Sequence, residues 1–530
     1  MRAQGVPGRV SDVDDAAQPR FAKNYAVNVA LVALTLFPGL IDTEALPLLL
    51  DTMARDLHAT PQVVQWAGLL GDCALAFGVI VSAALLRRAE QRSVYLCLLV
   101  AACVGALLRG FAPNVWLLLA GSVVQEAATG MLFIVALPPL VTSFSAAELR
   151  ITVGVLVGAL FGAATLGPPI GGLTAAPDAW RWIFFGEAAV ALAAFVLALV
   201  TLPKRAPMAP GDPPDRSALG LTAGGTLALF AGAGFLGTGG IAGAAAPWLM
   251  AAGICAYLAL LLVEREKEQP LLPVRSLETA FPLMGAIGTI AGNAIYGISN
   301  AALTHHLLLV QARSPLAAGM TLAPAVAAAA LAGFIFSRTL PTKYVVFNAI
   351  AGFALFALSA LGGAWLAREG SALGVAAVAF GFALASGLTV TPGLFIAGLS
   401  VKRDLVGRAI AVLELYRLAA GYASSPVYNR FLTGATLRRF PAGRAPDPKA
   451  FAHYLLTGTV PGNVPALSLQ TALLATLHQG FYALAGLSAL AGVALVAVLA
   501  FSPARLHAPD LKRFVNEGEP ALESPHLTAA

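Results

Sequence analysis

Long apolar runs, separated by short polar or Pro- and Gly-rich segments, recur along the whole chain. Fourteen of them fall near 25–50, 62–86, 93–112, 115–142, 150–175, 182–202, 217–238, 242–263, 282–311, 314–337, 344–366, 373–400, 405–432 and 478–501. A bilayer hydrocarbon core about 30 Å thick needs roughly 20 mostly apolar residues per helix, and each run is about that long. The pattern predicts an all-α polytopic membrane protein with 14 transmembrane helices, so function is to be sought inside a helix bundle.

Two charged, Pro-rich breaks punctuate this pattern. The first is 202–216 and the second 264–275. Proline removes a backbone donor and clashes with the preceding turn, so neither break continues a helix. The runs divide into six, two and six: a tail at 1–24, a bundle at 25–202, a linker with two inserted helices at 203–275, a second bundle at 276–501 and a tail at 502–530. Transporters commonly pair two six-helix halves, with substrate bound between them near the midplane. The segment 433–475 is a long outer loop containing the apolar Phe451-Ala-His-Tyr-Leu-Leu456, which reads either as a short helix lying on the bundle or as a solvated connector.

Composition sharpens the picture. Of 530 residues, 58% are hydrophobic, 11% are charged and 53 are glycine, as expected of many closely packed spans with no room for a soluble domain. The placement of the basic residues sets an orientation. With a cytoplasmic amino terminus, the inner segments hold 22 Lys and Arg and the outer ones 10, five of these in the long outer loop. The chain is therefore expected in the inner (cytoplasmic) membrane with both termini cytoplasmic. Residues 1–24 are polar and include Asp12, Asp14 and Asp15, which argues for a disordered tail rather than a signal peptide. Cys73, Cys97, Cys103 and Cys255 lie within apolar runs without metal-ligand spacing and read as inert packing residues. There is no Gly-x-Ser-x-Gly elbow, phosphate loop, His-x-x-x-His pair in a span or basic aromatic stripe, and the Gly-rich 232–240 lacks the Lys a nucleotide loop requires. Enzymatic activity, cofactors, metals and nucleic-acid partners are not expected, and the oligomeric state stays open.

The fifth run reads Gly154-Val-Leu-Val-Gly158-Ala-Leu-Phe-Gly162 and continues into Gly167-Pro168-Pro169-Ile-Gly171-Gly172. Glycines four apart make a smooth groove for a neighbouring helix, and prolines kink a span. Either plain close packing or a moving seam fits. The run at 167–172 resembles the antiporter motif of the major facilitator superfamily, and Trp180-Arg181-Trp182-Ile183-Phe184 resembles the element that follows it. Pro270-Leu271-Leu272-Pro273-Val274-Arg275, Ser314-Pro315-Leu316-Ala317-Ala318-Gly319 with Pro324, and Arg417-Leu418-Ala419-Ala420-Gly421 are similar to segments before the ninth helix and in the tenth and thirteenth helices of its 14-helix drug:proton antiporter branch. The resemblance implies proton-coupled export of small molecules, with Gly158, Gly162, Gly167, Pro168, Gly171 and Gly172 forming a helix seam. The chain departs from the branch in three places. Arg87 and Glu90 stand where the loop after helix 2 normally has Asp and Gly. Ser122-Val-Val-Gln125-Glu126 lacks the Arg normally three residues before Gln-Gly. Asp42 sits in a compressed Ile41-Asp42-Thr43-Glu44.

Charges at bilayer depth are costly and usually face the bundle interior or a wet cavity. Asp42, Glu44, Asp72, Glu126, Glu187, Glu414 and Arg417 fall within the runs and are the candidate proton-coupling or substrate-pathway residues. Glu126 leads, because it lies near the middle of its run with no opposite charge within one helical turn; Asp42 and Glu44 lie closer to an outer end, where they can reach water. Glu414 and Arg417, three apart, share a helical face and either pair internally or leave Arg417 to contact substrate. At most one of His305 and His306 lines a pathway, a solvated helix end being the plainer reading. The function that follows is export of amphipathic or drug-like molecules in exchange for protons. Transport of a defined metabolite with different coupling, including uptake, and a transporter-like receptor that moves nothing remain alternatives.

Overall fold

The computed structural model describes residues 25–86, 88–142, 145–204, 215–236, 240–268, 270–441, 445–462, 464–502 and 506–523. The tail at 1–24, Arg87, residues 205–214 of the first Pro-rich break and the loop tip at 442–444 lie outside them. The described chain is all-helical: α1 (Tyr25–Asp56), α2 (Pro61–Leu85), α3 (Gln91–Gly110), α4 (Val115–Thr142), α5 (Ala146–Thr174), α6 (Arg181–Thr201), α7 (Arg216–Phe235), α8 (Gly240–Glu266), α9 (Ala280–His305), α10 (Pro315–Leu322), α11 (Ala325–Thr339), α12 (Phe347–Gly363), α13 (Ala372–Leu399), α14 (Val406–Leu437), α15 (Pro448–Thr457), α16 (Ala466–Phe501) and α17 (Leu511–Glu517). Short polar caps start several of them. Ser145 and Glu148 form a reciprocal capping box on α5, Asp215 caps α7, and Ser314 caps α10 with Pro315 at its first position.

Among the described residues, 13 helices are long and apolar enough to cross a membrane, with α10 and α11 forming one such span broken at Ala323-Pro324. Besides the short α15 and α17, the helix that does not reach this standard is α14. It is 32 residues long but carries Glu414, Tyr416, Arg417 and Tyr422, and it packs against α2, α7, α9 and α16.

Helices α1 to α4 and α6 pack mainly within one group that also takes in α5, and α9, α12, α13, α14 and α16 within a second that takes in α10 and α11, while α5, α10 and α11 pack largely on each other. The two groups meet along two seams, α5 with α10 and α11, and α2 with α14. Helices α7 and α8 pack together, and α7 lies over the second seam, touching both α2 and α14. The Tyr416 hydroxyl donates to the Tyr257 carbonyl (2.6 Å), and Gly234 lets α7 settle onto Trp66 and Leu69.

Two stretches differ from expectation, and a third decides between the two readings given for the outer loop. The last long helix begins at Ala466, 12 residues before the predicted run, because 466–477 is helical although its sequence is more polar. The outer loop does contain a helix, α15, whose Phe451, Tyr454 and Leu455 are buried. The segment 506–523 is not a free tail. It returns to the end of the bundle where α13 meets α14: the Ala521 amide donates to the Leu399 carbonyl (2.8 Å), Arg403 donates to Val515 (2.8 Å), and Phe514 is fully buried.

Candidate functional site

Small residues create the site. Gly105 and Gly121 let α3 and α4 approach so closely that a methyl on Gly121 would lie 2.8 Å from Arg109 Cγ, and one on Gly105 would lie 2.6 Å from the Gln125 nitrogen. The guanidinium of Arg109, 3% exposed, is thereby held against α4 inside the α1–α6 group. Its Nη1 lies 2.6 Å from Asp42 Oδ2 and 3.6 Å from Glu126 Oε1 and donates to Gln125 Oε1 (3.2 Å), while the Phe184 ring covers it at 4.0 Å. Gln125 Nε2 in turn donates to Glu187 Oε2 (2.6 Å). Two carboxyl groups, from α1 and α4, thus share one guanidinium from α3, and a third, from α6, joins the network through Gln125. Asp42 Oδ1, Glu126 Oε2 and Glu187 Oε1 are buried and have no hydrogen-bond partner among the described residues.

Arg109 is the residue that sequence reasoning missed. The charge count assigns it to an outer loop, because it lies one residue before the end of α3. Glu126 has no countercharge nearby in sequence, yet one reaches it in space. Neither Asp42 nor Glu187 behaves as a water-reaching or cavity-facing group; both are buried in this network, at 4% and 6% exposed.

In front of the network, between the two groups of helices, lies a cavity of ≈ 620 Å³. It runs from the middle of the bundle, at Leu36, Phe133 and Phe161, to the end where α1 finishes, at Asp51, Arg55 and Arg313. Leu455, Leu456 and Thr457 of α15 line that mouth. Glu44, Asp72, Glu414 and Arg417 all face the cavity. Asn300 of α9 donates to Glu44 Oε2 of α1 (2.5 Å), a contact that crosses between the groups, and Tyr422 of α14 and Asp72 of α2 both line the cavity. Arg417 pairs with Glu414 (2.6 Å) and donates to Asn293 Oδ1 (3.2 Å). His305 lines the cavity whereas His306 is fully buried at the start of a π-helical turn, so the reading of a solvated helix end does not hold. Among the cysteines Cys73 is buried, but Cys97 and Cys255 are exposed on the outside of the bundle, where their apolar character suits lipid rather than packing.

The other end is closed by the first seam. A methyl on Gly333 would lie 2.5 Å from the Gly154 carbonyl oxygen and 2.7 Å from the Gly158 nitrogen, and Arg150 Nε donates to the Ser337 carbonyl (3.0 Å). Farther along α5, Gly172 abuts Pro315 and Gly319 abuts Pro168. Gly167 and Gly171 face α1 instead, the latter's added methyl being 2.7 Å from the Ala45 carbonyl oxygen. Gly162 is roomier, with only Ala329 Cβ nearby at 3.9 Å. The Trp180-Arg181 element has a tying role: Arg181 donates to the carbonyls of Gly110 (3.1 Å) and Ala112 (2.7 Å), and Trp180 Nε1 donates to Asp56 (2.8 Å).

Comparison with known proteins agrees with this architecture. The chain is 26% identical over 421 residues to an uncharacterized MFS-type transporter, YubD, of Bacillus subtilis, covering 78% of this chain and 81% of that protein. It is 27% identical over 320 residues to the tetracenomycin C resistance and export protein of Streptomyces glaucescens, covering 59% and 58% of the two chains. Among solved structures, the human organic anion transporter MFSD10 (TETRAN) superposes with a TM-score of 0.57 at 17% identity, over 89% of this chain and 99% of that one. The profile of the Major Facilitator Superfamily matches residues 32–425. With about three-quarters of its length matched, the chain belongs to the Major Facilitator Superfamily and is a multi-pass membrane transporter by family rather than an enzyme.

Proposed function

We propose that the protein is a 14-helix secondary transporter that exports amphipathic small molecules in exchange for protons, α14 being the fourteenth span. It sits in the cytoplasmic membrane with both termini inside, so the cavity faces outward and the α5–α11 seam closes the cytoplasmic end. The observation that carries this reading is the cluster of three carboxyl groups around Arg109, directly behind the cavity wall. A methyl on Gly71 of α2 would lie 3.0 Å from Glu126 Cγ, so movement of that wall is felt at Glu126. The cluster can gain or lose a proton while Arg109 keeps a partner, which is what coupling requires. The resistance and export function named for the Streptomyces relative supports the direction of transport.

The test is flux into proteoliposomes under an imposed pH gradient, with proton release on substrate addition to the purified protein as a second readout. Glu126→Gln is expected to bind substrate, lose pH-driven flux and release no proton. Parent-like flux for Glu126→Gln together with lost flux for Asp72→Asn would move the coupling role to α2. Parent-like behaviour of both variants would refute proton antiport through these residues.

A further inference from the structure

We propose that residues 506–523 act as a strap that holds the closed end of the bundle shut, fastened to the second helix group and laid across the seam onto the first. The fastening is largely to main-chain atoms. The last carbonyls of a helix have no partner within it, and at the end of α13 that of Leu399 accepts from the amides of both Ala521 (2.8 Å) and Leu522 (3.3 Å). On the loop that follows, the Arg403 amide donates to the Gly518 carbonyl (3.0 Å), Arg403 Nη1 donates to the Val515 carbonyl (2.8 Å), and Lys402 pairs with Glu519 (3.2 Å). His507 stands edge to face with Phe281, in the first turn of α9, at 5.9 Å between ring centroids. All of these contacts are with the second group.

The strap is also folded on itself. The Asp510 amide donates to the Ala521 carbonyl (2.9 Å), its side chain caps α17 by accepting from the Arg513 amide (3.0 Å), and Arg513 pairs with Glu523 (2.6 Å). Gly518, at φ +75°, ends α17 in the left-handed conformation and turns the chain back toward Leu399. Leu511, Phe514 and Val515 are spaced so as to share one face of α17, with Lys512 and Asn516 on the other. Leu511 and Phe514 are buried, Phe514 completely. The helix that α17 packs against is α5, in the first group. It is the same helix whose Gly154 and Arg150 meet Gly333 and Ser337 of α11 to close the seam. When the seam opens, α5 parts from the second group, and a strap fastened to that group must leave α5. Its apolar face then meets water, a cost borne by the open state alone. The strap therefore favours the closed state from outside the cavity, which none of its residues line.

Spin labels on Ser93→Cys, exposed in the first turn of α3, and Lys343→Cys, between α11 and α12, sit on the two groups at the closed end, with the exposed Cys97 and Cys255 replaced. Pulsed-resonance distance distributions of the purified full-length protein, without substrate or gradient, give the ratio of open to closed seams, and amide exchange over 506–523 reports docking. Phe514→Asp should speed exchange in that segment and raise the open-to-closed ratio about tenfold. Lys512→Ala, on the exposed face, should match the parent in both. Arg403→Ala should shift the ratio in the same direction, and combining it with Phe514→Asp should add little, because both detach one strap. Faster exchange with an unchanged ratio in Phe514→Asp would overturn the proposal. So would a segment that stays protected in that variant, or an Arg403→Ala effect that adds in full to it. The readouts involve neither flux nor proton release, so the strap and the exporter reading fail separately.

Discussion

Adding one methyl group should shift the seam at Gly333 and leave it unchanged at Gly162, and the structure says why. At Gly333 the new carbon would sit 2.5 Å from the Gly154 carbonyl oxygen, a backbone atom that cannot rotate away. Restoring an ordinary contact of about 3.4 Å requires α5 and α11 to part by about 0.9 Å at the closed end of the cavity. Overpacking of this kind costs about 1–3 kcal/mol. If only the closed state bears that cost, the equilibrium between closed and open seams shifts about 5- to 150-fold toward open. At Gly162 the same methyl meets nothing nearer than 3.9 Å, so Gly162→Ala should leave the equilibrium unchanged. Spin labels on Ala147→Cys and Lys343→Cys, in a background lacking Cys97 and Cys255, report the opening as a pulsed-resonance distance distribution. Gly333→Ala should enrich the longer distance and slow transport, while Gly162→Ala matches the parent. Identical distributions for the two variants would refute the seam argument.

Two further outcomes follow from burial. Arg109→Met leaves Asp42 and Glu126 without their shared guanidinium and should lower stability by about 3–5 kcal/mol, seen as a lower midpoint for thermal loss of monodisperse protein in detergent. Adding Asp42→Asn should restore part of that loss, and a double variant no more stable than the single one would show that the pair does not act as a unit. Phe514→Ala should release residues 506–523 at a cost of about 3 kcal/mol, read as faster amide exchange at Ala521 and Leu522 while α9 to α14 stay protected.

How much of this was legible in the sequence depended on whether the signal was local. Apolar runs reveal spans because each run alone must satisfy the bilayer, and a helix of 28 residues such as α13, from Ala372 to Leu399, announces itself. The Glu414–Arg417 pair was equally readable, both residues lying on one face of one helix. Arg109 was not, because its partners come from α1 and α4 and its position near a helix end resembles that of a solvated charge. The docked segment 506–523 was hidden for a similar reason: its sequence is polar enough for a tail, and only the carbonyl of Leu399 and the loop at Arg403 show where it returns. Residues 466–477 were withheld from the last span by their Ser, Gln and Thr residues. The structure accommodates them by pairing, as when Thr436 donates to Thr476 (3.1 Å).

The distribution of strong and weak ties argues for motion between the two helix groups rather than within them. Inside the first group Arg109 holds Asp42 at 2.6 Å, and inside the second Arg417 holds Glu414 at 2.6 Å. Breaking a buried pair of that kind costs about 3–5 kcal/mol. Between the groups Glu44 meets a neutral partner, Asn300, and Arg150 donates to the Ser337 carbonyl. Each such bond contributes about 1.5–3 kcal/mol, and water or a ligand entering the cavity can replace it. The remaining cross-contacts include close glycine surfaces, as at Gly154 and Gly333, and the Phe161–Tyr296 ring pair, which part without breaking an ion pair. A ligand entering the cavity beside Glu44 would compete for the hydrogen bond that now joins the groups at Asn300, so under the proposed transport reading filling the cavity and loosening the tie beside it would be one event.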